Sequence, residues 1–226
     1  MKNRVLNAFD WFLIAGIIAT SVVYSILSKE IDVIGTVTAV TGVLCVVLVA
    51  KGSIWNYLFG LVNVSQYAYV SFKASAYGDA ALNALYYLPM QFIGYFAWKS
   101  RVSGEQVKAR RLDSRQRIWV ASACIAMTVA LGFILKACGD GQPFKDSATT
   151  VFSIVAQAMM AMAFMEQWVL WILTNVISVV MWCAFAVQGV PHAAVMVIMW
   201  TFYLLNSVNG LRVWIKLSEE CSSKGV

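Results

Sequence analysis

Residues 55–98 read WNYLFGLVNVSQYAYVSFKASAYGDAALNALYYLPMQFIGYFAW. Two aromatic-rich apolar stretches, about 54–73 and 80–98, flank a short polar break. Each is close to the roughly 20 residues that an α-helix needs to cross a bilayer. Much of the pattern returns later in the chain. At an offset of 113, Trp55 meets Trp168, Ser65 meets Ser178, Tyr69 meets Trp182 and Phe72 meets Phe185. The pair Ala80-Ala81 meets Ala193-Ala194 at the same offset. After three extra residues in the second copy, Tyr87 meets Tyr203, Gly94 meets Gly210 and Trp98 meets Trp214. This spacing predicts an internal repeat.

The rest of the chain extends the same reading. Apolar residues make up 61% of the 226, charged residues 12%, and mean hydropathy is +0.73. A soluble domain needs about 25% charged residues to clothe its surface. We expect eight transmembrane helices at roughly 10–28, 33–50, 54–73, 80–98, 118–137, 148–165, 168–187 and 191–214. The basic start and apolar stretch at 1–28 could be a signal peptide. No A-x-A-like site follows, so it is read as the first membrane helix. Lys51-Gly52-Ser53 and Glu166-Gln167 are short connections that force antiparallel neighbours. Pro191 suits the first turn of a helix, where a missing N–H costs nothing. Pro89 falls inside a span and should kink it.

Charge sets the orientation. The N-terminus, the even-numbered loops and the C-terminus hold 13 Lys and Arg, seven of them between Lys99 and Arg117; the other side holds four. Cytoplasmic loops carry the excess, so both termini should face the cytoplasm. The same clustering argues against nucleic acid as the partner of the net +6 charge. The expected fold class is an all-α integral membrane protein with a SWEET-like 3+1+3 parallel repeat, preceded by one extra helix. An odd number of spans plus one linker returns the second bundle to the orientation of the first. The boundaries are 1–30 for the tail and extra helix, 31–99 for the first repeat, 100–147 for the basic loop and linker helix, 148–215 for the second repeat and 216–226 for the tail. Transporters of this plan bind substrate between the repeats near mid-membrane.

Several functions are disfavoured. The five cysteines form no C-x-x-C pair, and the single His192 lacks partners for a metal site or a triad. It reads as a solvated cap residue. Asp10, Glu30, Asp32, Asp79 and Glu166 all lie at span ends, leaving no mid-membrane acid to carry a proton or sodium ion. No G-x-x-x-x-G-K motif exists to hold ATP. A membrane enzyme would need a buried catalytic grouping, and an ion channel a charged ring or carbonyl filter. A structural adaptor would not explain polar faces on four helices. Passive transport of a small solute, with no cofactor, fits best.

Neutral polar residues mark the candidate site. Asn175, Ser178 and Trp182 fall at i, i+3 and i+7. Tyr203, Asn206 and Asn209 fall at i, i+3 and i+6. Tyr87 and Gln91 are four apart beside Pro89, and Asn63 and Gln66 three apart. Each set shares a helix face. The competing reading is helix glue, through interhelical hydrogen bonds of roughly 0.6–2 kcal/mol. That reading weighs most for Asn63, Gln66 and Ser178. Asn206 with Asn209 favours a site, because two carboxamides one turn apart supply donors and acceptors together.

The stretch W-N-Y-L-F-G-L-V-N-V-S-Q-Y…Y-G-D-A-A-L-N…Q-F-I-G-Y-F-A-W resembles the PnuC family of vitamin transporters. So does N-x-x-S-x-x-x-W (Asn175 to Trp182) followed by Y-L-L-N-S-V-N-G (Tyr203 to Gly210). The resemblance covers about residues 30–215. One departure is Trp55-Asn56, where the family has Trp-Pro. The resemblance implies a SWEET-like fold, a homotrimer in membrane lipid, and import of nicotinamide riboside by facilitated diffusion with trapping by cytoplasmic phosphorylation. Relatives carry thiamine or riboflavin instead. A cationic pyridinium suits the faces of Trp182, Tyr87 and Tyr203. Asn206, Asn209 and Gln91 suit its carboxamide and hydroxyls.

Overall fold

A computed structural model describes residues 6–28, 33–73, 77–103, 106–189 and 193–223. Glu30, Asp32, Pro191 and His192 lie outside them, as does the side chain of Asp79. Two compact units divide the chain, residues 1–108 and 109–226. The first holds α1 (Ala8–Ser28), α2 (Val33–Ala50), α3 (Asn56–Lys73), α4 (Tyr77–Leu82) and α5 (Leu88–Lys99). The second holds α6 (Ser114–Ala137), α7 (Pro143–Ala161), α8 (Gln167–Val187) and α9 (Ala193–Ser223). Helix α6 packs on α7 within the second unit, as α1 packs on α2 within the first.

Local chemistry sets the helix ends. Asn7 and Asp10 cap α1 reciprocally: the Asn7 N–H donates to Asp10 Oδ2 at 2.7 Å and the Asp10 N–H to Asn7 Oδ1 at 2.9 Å. Asp113 and Gln116 form a capping box at α6, which starts that helix four residues before the apolar run. Between α4 and α5, residues Asn83–Tyr87 form a π-turn closed by the Leu88 N–H on the Asn83 carbonyl. Proline cannot donate to the carbonyl four residues back. The irregularity expected at Pro89 is thus taken up one turn earlier as a widened turn.

The turns α2–α3 and α7–α8 are the same motif. Gly52 and Ala163, 111 positions apart, both have positive φ, 66° and 60°. The next N–H reaches back five residues in each case, Ser53 to the Leu48 carbonyl at 3.0 Å and Phe164 to Met159 at 2.9 Å. This is the Schellman C-cap, whose left-handed residue is usually glycine. In each unit the turn also meets its own part of the basic loop: the Val107 N–H donates to the Gly52 carbonyl at 2.9 Å, and the Arg110 N–H to Ala163 at 2.7 Å. Around them the loop forms a hairpin, β1 (Val102–Ser103) with β2 (Gln106–Val107), and lays Arg110 over the Phe164 ring at 4.3 Å.

The matching turns correct the register of the repeat here. At an offset of 111, Tyr57 rather than Trp55 stands opposite Trp168, and burial agrees: Trp55 is 65% exposed, Tyr57 and Trp168 are 3% and 2% exposed. Tyr57 stacks edge-on against Trp98 at 5.2 Å, and Trp168 against Trp214 at 6.2 Å. Gly94 and Gly210 let those rings lie directly on the helix backbone, where any Cβ would collide with them. At the left-handed position an L residue costs roughly 1–2 kcal/mol, and glycine does not. We therefore expect Ala163→Gly to stabilise the protein by about 1 kcal/mol, raising the melting temperature by roughly 2–4 °C; a fall would contradict the turn geometry.

Apolar side chains point outward along the helices. On α6, Ile118, Trp119, Ile125, Phe133 and Ile134 are all more than half exposed, and on α8 Val180 and Val187 likewise. Water would not tolerate so much apolar surface, whereas lipid would. Helices α6 and α8 are long and apolar enough to cross a membrane by length and composition.

Candidate functional site

In the second unit, α8 and α9 turn polar faces inward. Asn175 and Ser178 on α8 and Asn206 and Ser207 on α9 are all buried. Asn175 Nδ2 donates to Ser207 Oγ at 2.8 Å, and Ser207 Oγ donates to the Tyr203 carbonyl at 2.9 Å. This relay orients the Asn175 carboxamide, its N–H toward α9. Trp182 is half-buried, with its ring held edge-on by Phe185 at 5.5 Å. Tyr203 is half-buried against Trp200 at 5.8 Å. Asn209 keeps its Nδ2 buried with no hydrogen-bond acceptor.

In the first unit, Tyr87 ends the π-turn, its ring 5.3 Å from Tyr86. Gln91 is buried; its Nε2 donates to the Tyr87 carbonyl at 3.2 Å, and its Oε1 lies unpaired directly against Gly60. Gln91 and Ser207 hold equivalent places, each donating to the carbonyl of a tyrosine four residues back. Asn63 and Gln66 do the work of glue: Asn63 Nδ2 donates to the Thr38 carbonyl at 2.7 Å, and Gln66 Oε1 lies 3.2 Å from Thr38 Oγ1, tying α3 to α2.

Sequence spacing missed two residues. Ser207 precedes no obvious partner and became visible only once α8 and α9 were paired. Thr174 is 3% exposed, and its hydroxyl has no partner; its signal was the four-residue step to Ser178. Among the described residues no three His, Cys, Asp or Glu side chains gather to hold a metal, and Cys45, Cys124, Cys138 and Cys183 are free thiols. The acidic side chains with ion pairs sit at helix ends: Asp10 is fully buried and 2.7 Å from Lys51, and Glu166 is 2.9 Å from Arg117. Polar, uncharged inner faces on apolar-coated helices can desolvate and release a neutral or weakly charged small molecule. They define a helical membrane transporter.

The comparisons with known proteins give the family. Residues 32–216 match the family model described as nicotinamide mononucleotide transporter, and the chain belongs to that family. It is 40% identical over 197 residues to the nicotinamide riboside transporter PnuC of Neisseria mucosa, covering 84% of this chain and 75% of that one. It is 35% identical to the protein of that name from Haemophilus influenzae (80% and 78% covered) and 31% to that from Escherichia coli (87% and 89%). A crystal structure of the vitamin B3 transporter PnuC superposes with a TM-score of 0.78 at 35% identity, over 95% of this chain and 94% of that one. The chain is accordingly a multi-pass membrane protein of the transporter class and not an enzyme.

Proposed function

We propose that this protein imports nicotinamide riboside by facilitated diffusion, binding it through Trp182, Asn206, Asn209, Asn175, Ser178 and Tyr203 of the second unit and Tyr87 and Gln91 of the first. The observation that carries the reading is the uncharged polar lining on α8 and α9 in a chain 31–40% identical to proteins named for this substrate. The family description names the mononucleotide instead. Physical chemistry favours the riboside. A phosphate needs Arg or Lys to replace its hydration, and on α8 and α9 the basic residues described are Arg212 and Lys216, both exposed and near the end marked by Trp214. The nucleotide would be excluded, so cytoplasmic phosphorylation would trap the imported riboside.

Supporting the expected topology, the α2–α3 turn meets the basic loop in the first unit, and the α7–α8 turn meets it in the second. Charge assigns the basic loop to the cytoplasm with both termini, and each unit's turn meets that loop within its own unit. The SWEET-like 3+1+3 arrangement and a homotrimer complete the proposal; native mass spectrometry of the detergent-solubilised protein would read the oligomer directly. Thiamine and riboflavin remain the rival substrates. Proteoliposome flux tests the function: nicotinamide riboside should enter along its own gradient, with no uptake of the mononucleotide. Accumulation driven by an imposed proton or sodium gradient, corrected for membrane potential, would refute passive transport. Preference for thiamine or riboflavin would refute the substrate.

A further inference from the structure

Thr174 differs from most of the described threonines of the membrane helices. A helical threonine usually satisfies its hydroxyl on the carbonyl four residues back. Thr20, Thr38, Thr41, Thr149 and Thr201 all do so here, at 2.7–3.1 Å. The Thr174 hydroxyl is buried without any partner, a state that it shares among the described hydroxyls with Tyr57 and, on α6, Thr128. An unpaired buried hydroxyl is unfavourable unless something else bonds it. Thr174 also lies on the candidate face: Thr174, Ser178 and Trp182 fall at i, i+4 and i+8, one above another along α8. Lipid-facing Val176 and Val180 are on the opposite side. The stripe therefore runs from an aromatic ring, past a buried serine, to a hydroxyl left free to donate and accept.

We propose that Thr174 binds the 5′-hydroxyl of the ribose and so reads the end of the nucleoside that distinguishes it from the nucleotide. The proposal rests on the nicotinamide riboside reading. With the pyridinium on Trp182, the ribose extends along the stripe towards the start of α8, about 12 Å away at Thr174. The 5′-hydroxyl is the sugar's farthest group from the base and reaches deepest. A neutral hydroxyl can exchange hydrogen bonds with Thr174 in both directions. A 5′-phosphate would meet a buried threonine on a helix that carries no Lys or Arg. This gives phosphate rejection a location as well as a cause.

Isothermal titration calorimetry on the purified protein tests it with nicotinamide riboside and its 5′-deoxy analogue. Wild-type protein should bind the riboside roughly three- to tenfold more tightly than the analogue. Thr174→Val keeps the shape and removes the hydroxyl; it should bind both ligands alike, at the weaker affinity, without a lower melting temperature. Thr174→Ser should restore the difference. Equal affinity of wild type for the two ligands overturns the proposal without any variant. So does a Thr174→Val protein that binds the riboside like wild type, or that loses both ligands equally. Failure of wild type to bind nicotinamide riboside at all would instead sink the substrate reading.

Discussion

Trp182→Ala, Asn206→Leu and Asn209→Leu should each weaken nicotinamide riboside binding by roughly three- to a hundredfold while folding normally. The range follows from the loss of a ligand hydrogen bond, at 0.5–1.5 kcal/mol, rising where a ligand polar group is left buried and unpaired. Loss of the Trp182 ring removes an aromatic face for a desolvated cation, worth roughly 0.5–2 kcal/mol. The three residues sit on two helices pinned to each other by the Asn175–Ser207 hydrogen bond, so their effects should be coupled and less than additive. If instead they are helix glue, the same variants melt lower and bind unchanged. Nicotinic acid riboside adds a check on the ligand side: its carboxylate cannot donate, so it should bind more weakly than the amide. Calorimetry with a thermal-shift assay separates the two readings, and wild-type affinity in all three folded variants would move the site elsewhere.

Asp10→Ala should be the most destabilising change at the helix ends, at about 3 kcal/mol. Asp10 is fully buried, its Oδ2 shared between Lys51 Nζ and the Asn7 N–H. Removing it strands a mostly buried ammonium and uncaps α1, and breaking a buried pair typically costs 3–5 kcal/mol. Lys51 is 16% exposed and can reach water, which places the estimate at the lower end. A thermal-shift assay should read a fall of roughly 6–12 °C. The double change Asp10→Ala with Lys51→Met should recover much of the loss, since an apolar replacement leaves no charge stranded. A single variant that melts like wild type would show the pair to be idle.

The membrane helices were legible in the sequence because lipid imposes one dominant constraint, long apolar runs with charge at their ends. The ends were less legible. The expected sixth span, 148–165, is α7 at Pro143–Ala161, because Lys145 and Asp146 lie within the helix while Met162 and Ala163 form a turn despite being apolar. Composition cannot reveal a left-handed alanine. The same blindness put the repeat two residues out of register at Trp55: aromatic identity was matched, whereas burial and the C-cap fix the true correspondence. On the candidate faces, spacing along one helix picked out Asn175, Ser178 and Asn206, which are buried, and Asn209, whose Nδ2 is buried. Whether a polar group is already satisfied depends on a neighbouring helix, as Thr38 does for Asn63. That information is absent from a single chain's pattern, which is why Ser207 went unseen; Thr174 had the four-residue step to Ser178, but its lack of a partner shows only in the packed helices.

The π-turn at Asn83–Tyr87 carries a consequence for lineage. Widening one turn of an α-helix accommodates a single added residue without breaking the rod. Everything before it is then rotated by about 100° relative to everything after it. The offset between the two halves of the chain is 111 at the start of α3 and α8 but 116 at Gly94 and Gly210. The second half is thus the longer by five residues (116 − 111), and the residue taken into the π-turn of the first half offsets part of a difference that would otherwise be larger. Homologues that lack the added residue would display different side chains on α4 to the same surroundings, while α5, with Gln91, Gly94 and Trp98, would stay in frame. A single codon gained or lost there would re-aim one end of the rod and leave the other untouched.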